Sequence, residues 1–144
     1  MRTAVRVLLL ALAAAQGLAA LTQLFAPRWF YDDGPWVSGH PPYNEHLMRD
    51  VGAATLGWVM VIIAAGLTLR PMLVRLAVAA NLIFSVPHAV FHLTHLHGYA
   101  GADLVGQVVL FSLGVALPAL ALLLFELSER GRRGRTRTPS QPDQ

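Results

Sequence analysis

The sequence predicts an all-α fold, a transmembrane four-helix bundle with N- and C-termini cytoplasmic. Three observations carry that prediction. The 144 residues are 55% hydrophobic and only 13% charged, with a mean hydropathy of +0.51, where a soluble domain carries about 25% charge. Four stretches almost free of charge, 7–26, 51–69, 76–96 and 104–125, each approach the roughly 20 residues a helix needs to cross the hydrocarbon core. The arginines are also partitioned. With the N-terminus inside, Arg2, Arg6, Arg70, Arg75, Arg130, Arg132, Arg133, Arg135 and Arg137 fall on the cytoplasmic side, against only Arg28 and Arg49 outside. Asp32, Asp33, Glu45, Asp50 and Asp103 show the opposite bias. There is no cysteine and no lysine, so disulfides, thiolate metal sites and cysteine nucleophiles are excluded.

Taken in order, the spans are about 7–26, 49–69, 72–96 and 104–126, within a single domain of residues 1–127. The first follows Met1–Arg6 as a signal-peptide core would, with Ala13–Ala15 resembling a cleavage site. The apolar run continues to Ala26, longer than a signal-peptide core, so the span is expected to be retained. The segment 28–44 holds Trp29, Phe30, Tyr31, Trp36 and Tyr43, suited either to an interfacial aromatic belt or to a lid. Asn44 is a good N-cap for the second span, with Glu45 in its first turn. Arg70–Pro71 forms a tight turn with proline at the first position of the third helix. Gly98–Gly101 forms the next turn, and Asp103 can cap the fourth helix. Residues 128–144 are read as a disordered basic cytoplasmic tail whose arginines anchor to anionic lipid rather than to nucleic acid.

Polar residues within spans are the informative ones, because each must face protein or water. On the third span Asn81, Ser85, His88, His92 and His95 share an arc of about 80°. Gln16 and Gln23 mark one face of the first span. His46 and Asp50 mark the second, followed by the small residues Ala53 and Gly57; this face, like Gly114/Pro118 on the fourth span, is expected to be buried in the bundle, because small residues let backbones approach closely. Asp103 and Gln107 mark the fourth, followed by Gly114 and Pro118. At about 1.5 Å per residue, Gln23, Asp50, His92 and Gln107 lie at one level in the outer half of the bundle. That coincidence predicts a shared polar cavity lined by Gln23, Gln107, Ser85 and Asn81. Pro87 removes a helix hydrogen bond beside the histidines.

Several readings of this cluster remain open. His88, His92 and Asp50 could hold a divalent metal, with His95, His46 or Glu45 as further ligands, since HxxxH sets two imidazoles on one face; a haem is the less favoured variant. The HExxH zincin motif is absent. Alternatively, His/Asp acid–base chemistry could act on a quinone or isoprenoid-type lipid reached from the outer leaflet. A third reading is a non-catalytic accessory subunit with a structural polar core, in a homo-oligomer or larger membrane complex. The expected location is the plasma membrane.

The strings Phe30–Asp33, Pro42–Gly52 (PYNEHLMRDVG) and Pro87–Leu96 (PHAVFHLTHL) resemble those of small four-span actinobacterial membrane proteins, broadly the DoxX-like group. The resemblance covers about residues 5–125, and the Ala/Leu/Arg-rich, lysine-free composition is similar to that of a high-GC genome. It implies four helices and places Glu45, His46, Asp50, His88 and His92 in signature strings. It implies no reaction.

Overall fold

The computed structural model describes residues 1–39 and 42–135. Five helices follow one another: α1 (Arg2–Phe25), α2 (Pro27–Asp33), α3 (Glu45–Thr68), α4 (Pro71–Thr94) and α5 (Gly101–Arg135). All but α2 are long and apolar enough to cross a membrane, so the chain is an all-helical, four-span bundle. Each long helix runs antiparallel to the next, which brings the ends of α1 and α5 that carry Arg2 and Glu129 to one end of the bundle. We call that end basic and the opposite one acidic.

Local chemistry sets the boundaries. Asn44 caps α3, its side-chain oxygen accepting from the Leu47 N–H at 3.0 Å. Pro27 and Pro71 occupy the first positions of α2 and α4, where a missing N–H costs nothing. α3 closes on Leu69 in the left-handed region (φ 50°), a conformation costly for a branched residue. Burial of the Leu69 side chain in the core offsets that cost. The helices overrun the uncharged stretches: α3 begins at Glu45 and α5 continues to Arg135, at about 52 Å far longer than a hydrocarbon core. Residues 128–135, expected to belong to a disordered tail, are therefore helical. Glu129 pairs with Arg2 at 2.6 Å, and one turn earlier Glu126 pairs with Arg75 at 2.7 Å. The rest of that tail, 136–144, lies outside the described residues.

Around the bundle the order is α1–α3–α4–α5, with α1 against both α3 and α5, and α4 diagonal to α1. α1 and α3 form the most extensive pair. Their backbones come close together at Gly52, where an added Cβ would lie 2.8 Å from the Ala20 carbonyl oxygen and 2.9 Å from the Leu24 nitrogen. Only glycine allows that separation. The expected contact face Ala53/Gly57 is corrected by this finding, since both are exposed and a Cβ on Gly57 meets nothing. The buried stripe of α3 is instead Gly52, Thr55, Val59, Ile62 and Gly66. Of the fourth span's pair, Pro118 is buried as expected, while a Cβ on Gly114 also meets open space.

The two antiparallel helices cap each other. Arg6 Nε donates to the Gly66 carbonyl at 3.1 Å, and Arg2 reaches the Leu69 carbonyl, so α1 supplies cations to the C-terminus of α3. At the other end Arg49 of α3 donates to the Leu24 carbonyl near the end of α1. The fully buried core is concentrated at the basic end. Val5, Leu9, Ile62, Val74, Val78 and Phe125 are at most 1% exposed, and the cluster they anchor runs no further along the bundle than Ala13 and Val59. Toward the acidic end the helices enclose space instead.

Candidate functional site: a two-chambered cavity

Two cavities occupy the acidic half. The inner one, about 320 Å³, is bordered by all four long helices, through residues that include Gln16 and Gln23 of α1, Thr55 and Trp58 of α3, Ser85 of α4 and Gly114 of α5. The outer one, about 380 Å³, lies between α3, α4, α5 and the segment after α2, bordered by Tyr31, Trp36, Val37, Met48, Phe91 and His92 among others. His88, Leu110 and Phe111 border both. His88 of α4, with Leu110 and Phe111 of α5, thus forms the wall shared by the two chambers.

Aromatic stacking fixes that wall. Phe84 lies on His88 with ring centroids 5.0 Å apart and planes 22° from parallel, and Trp58 lies 4.9 Å beyond Phe84. His88 meets His92 edge to face at 4.6 Å, and His92 stacks on Phe111 of α5 at 4.0 Å. Rings spaced one turn apart along α4 and a partner ring on α5 hold both imidazoles in place.

Beneath the inner chamber is a polar node. Gln16 Oε1 accepts from Trp58 Nε1 at 2.8 Å and from Asn81 Nδ2 at 2.9 Å. Three helices meet at one oxygen, including the diagonal pair α1 and α4. Neutral bonds of this kind hold membrane helices together at about 1 kcal/mol each. Sequence reasoning placed Gln16 and Asn81 on inward faces but missed the node. Its readable signal is Trp58, a mid-span indole N–H that needs an acceptor.

The outer chamber has a roof. Trp36 Nε1 donates to Asp103 Oδ1 at 3.1 Å, and its indole lies against Gly106, where an added Cβ would come within 2.7 Å of the ring. Trp36 adopts a φ of 62°, left-handed backbone that an indole residue rarely takes. Tyr31 meets Tyr43 edge to face at 5.4 Å, which ties α2 to the approach to α3. Arg28, outside the spans, is held above its ordinary pKa by its hydrogen bond and charge pairing with Asp32. Part of the 28–44 segment is thus cavity roof, while Trp29 is exposed in the manner of an interfacial aromatic. His40 and Pro41 lie outside the described residues.

The structure divides the residues singled out from sequence. His88, His92, Gln23 and Ser85 line the chambers, and Asn81 joins them through Gln16. Asp50 borders neither chamber; it is 61% exposed and pairs with His46 at 3.3 Å. Glu45 pairs with Arg49 at 2.8 Å. The expected grouping of Asp50 with the histidines is corrected for a geometric reason. Close approach to α1 at Gly52 turns Asp50, two residues earlier, about 200° away. His95 is the C-cap of α4, its Nδ1 within 2.8 Å of the Phe91 carbonyl oxygen. Gln107 is fully buried with neither amide atom bonded, and it borders neither chamber. Among the described residues no group of three or more His, Asp or Glu side chains is placed to hold a metal ion.

What the arrangement offers chemically is an apolar, aromatic-walled space with imidazoles on its partition and amide and hydroxyl groups at its inner end. No family model, no curated protein and no solved structure matches the chain, so its function is argued from this geometry.

Proposed function

We propose that this multi-pass membrane protein binds a lipid with a hydrogen-bonding head and an isoprenoid-type tail, of the quinone or prenyl class, in the acidic half of its bundle. The observation that carries this reading is the pair of adjoining chambers sharing His88 as a wall. Apolar walls with a few convergent polar groups are the usual composition of a small-molecule site. Lipid-exposed imidazoles in the hydrocarbon region would be costly, which favours a role in recognition. In this reading the basic end faces the cytoplasm and the cavity opens toward the outer leaflet of the plasma membrane.

Purification in mild detergent, followed by solvent extraction and mass spectrometry, tests the proposal. A prenyl-type lipid recovered near one per chain, and lost from His88→Leu protein that still folds, is the expected result. Stoichiometric metal in elemental analysis, with no such lipid, would replace this reading with a metal centre at His88 and His92. Reporter fusions at residues 38 and 135 test orientation; an outward-facing residue 135 overturns it.

A further inference from the structure

Resting on the lipid-binding reading, hydrogen-bond accounting at the inner chamber narrows the class of head group. Trp58 is the fixed point. An indole N–H can only donate, so the Gln16 atom that meets it at 2.8 Å is the amide oxygen. The Asn81 atom 2.9 Å from that same oxygen must then be a donor as well, the amide nitrogen. Both amide orientations follow from the indole. Two consequences result. Gln16 Oε1 has both lone pairs in use, and the remaining atom of Asn81 is its carbonyl oxygen.

That Asn81 oxygen is buried, in a residue 1% exposed, and it has no partner. Ser85, one turn along the same face of α4 and on the chamber wall, has an unpartnered hydroxyl oxygen. Gln23 Oε1, from α1 on the same chamber, is likewise without a donor. At the chamber itself the unmet capacity is one carbonyl acceptor, Gln23 Oε1, and one hydroxyl, with the Asn81 oxygen a further acceptor that does not border the chamber. Buried acceptors of this kind are stabilised by a partner that donates. A head bearing only carbonyl oxygens brings none.

We infer that the inner chamber selects a hydroxyl-bearing head, a prenyl alcohol or hydroquinone, over the corresponding carbonyl compound. The hydroxyl donates to the amide oxygen of Gln23, and its own oxygen accepts from Ser85 Oγ–H, both residues bordering the chamber. Asn81 stays in its bond to Gln16.

The test is equilibrium binding to the full chain in nanodiscs with paired probes of matched shape. One pair is geranylacetone and the secondary alcohol obtained from it by reduction. The other is a short-tailed benzoquinone and its hydroquinone, measured anaerobically. The alcohol and the hydroquinone are expected to bind about tenfold tighter than their partners, as one regained buried hydrogen bond implies. If only one of the two pairs shows the preference, that pair identifies the head as an alcohol or a hydroquinone. Ser85→Ala and Gln23→Met, which leave the Gln16 node intact, should each shrink the ratio of hydroxyl-probe to carbonyl-probe affinity to near unity. Equal binding of both members of each pair by wild-type protein overturns this inference and leaves the lipid-binding reading standing. Absence of binding by all four probes counts against that reading itself. A preference unchanged in both variants would also overturn the assignment, since the discrimination would then arise elsewhere.

Discussion

His92 and Phe111 lie face to face, ring centroids 4.0 Å apart and planes 10° from parallel. The contact joins α4 to α5 in the half of the bundle where the packed core is absent. It also holds the partition between the two chambers, because Phe111 meets His88 edge-on at 5.4 Å. Phe111→Ala should merge the chambers and lower stability by about 2 kcal/mol, below the range for a fully buried phenylalanine because this one is half-buried. Thermal unfolding in detergent measures the loss. An unchanged midpoint would mean that the stack does not bind the two helices together.

Helix α3 offers a paired test of its rotation. Gly52→Ala should cost about 1–3 kcal/mol, because its new methyl collides with the backbone of α1 at Ala20 and Leu24. Gly57→Leu should behave like wild type, its side chain projecting outward from the bundle. Expression level and melting temperature of the two variants decide the matter. The reverse ranking would place the wrong face of α3 against α1.

Loss of Gln16 should be felt on three helices at once. Gln16→Leu leaves the Trp58 N–H and the Asn81 amide without their common acceptor, at a cost of about 2–4 kcal/mol. The double variant Gln16→Leu with Asn81→Leu should recover part of that loss, because one orphaned polar group is removed with its partner. A double-mutant cycle showing strict additivity would rule out the shared node.

The roof over the outer chamber should depend on its latch. Asp103→Ala removes the acceptor for Trp36 Nε1, while Trp36→Ala removes the roof side chain itself. Both should raise the rate at which a water-soluble imidazole reagent such as diethyl pyrocarbonate modifies His88, by about tenfold if the latch contributes about 1.4 kcal/mol to the closed state. Peptide mapping follows the modification. Equal rates in wild type and both variants would show that the indole does not limit access.

Retention of α1 is expected from its packing as well as its length. A chain beginning near Gln16 would lack Val5, Leu9 and Ala13 of the core, together with the Arg2 and Arg6 caps on α3. Intact-mass measurement of membrane-extracted protein should therefore find a mature chain that still contains α1, with Val5, Leu9 and Ala13 in place. A mass corresponding to a start near Gln16 would contradict it.

The spans, the separation of arginine from acid, and the inward face of α4 were legible from residues alone. Apolar transfer energy is a local sum along the chain, and charge bias is a count. Asn81, Ser85, His88 and His92 share a face by helical period, wherever the neighbouring helices lie. The rotation of α3 was not legible. Gly52 and Gly57 are both small and about 140° apart on the helix, and nothing local chooses between them. The backbone of α1 at Ala20 and Leu24 makes the choice, turning Asp50 outward to His46 and bringing Trp58 to Gln16. The cavity, too, belongs to the tertiary structure. It exists because the core closes at the basic end and leaves the acidic half to be spanned by rings and single hydrogen bonds, an outcome set by how whole helices stack rather than by any one stretch of sequence.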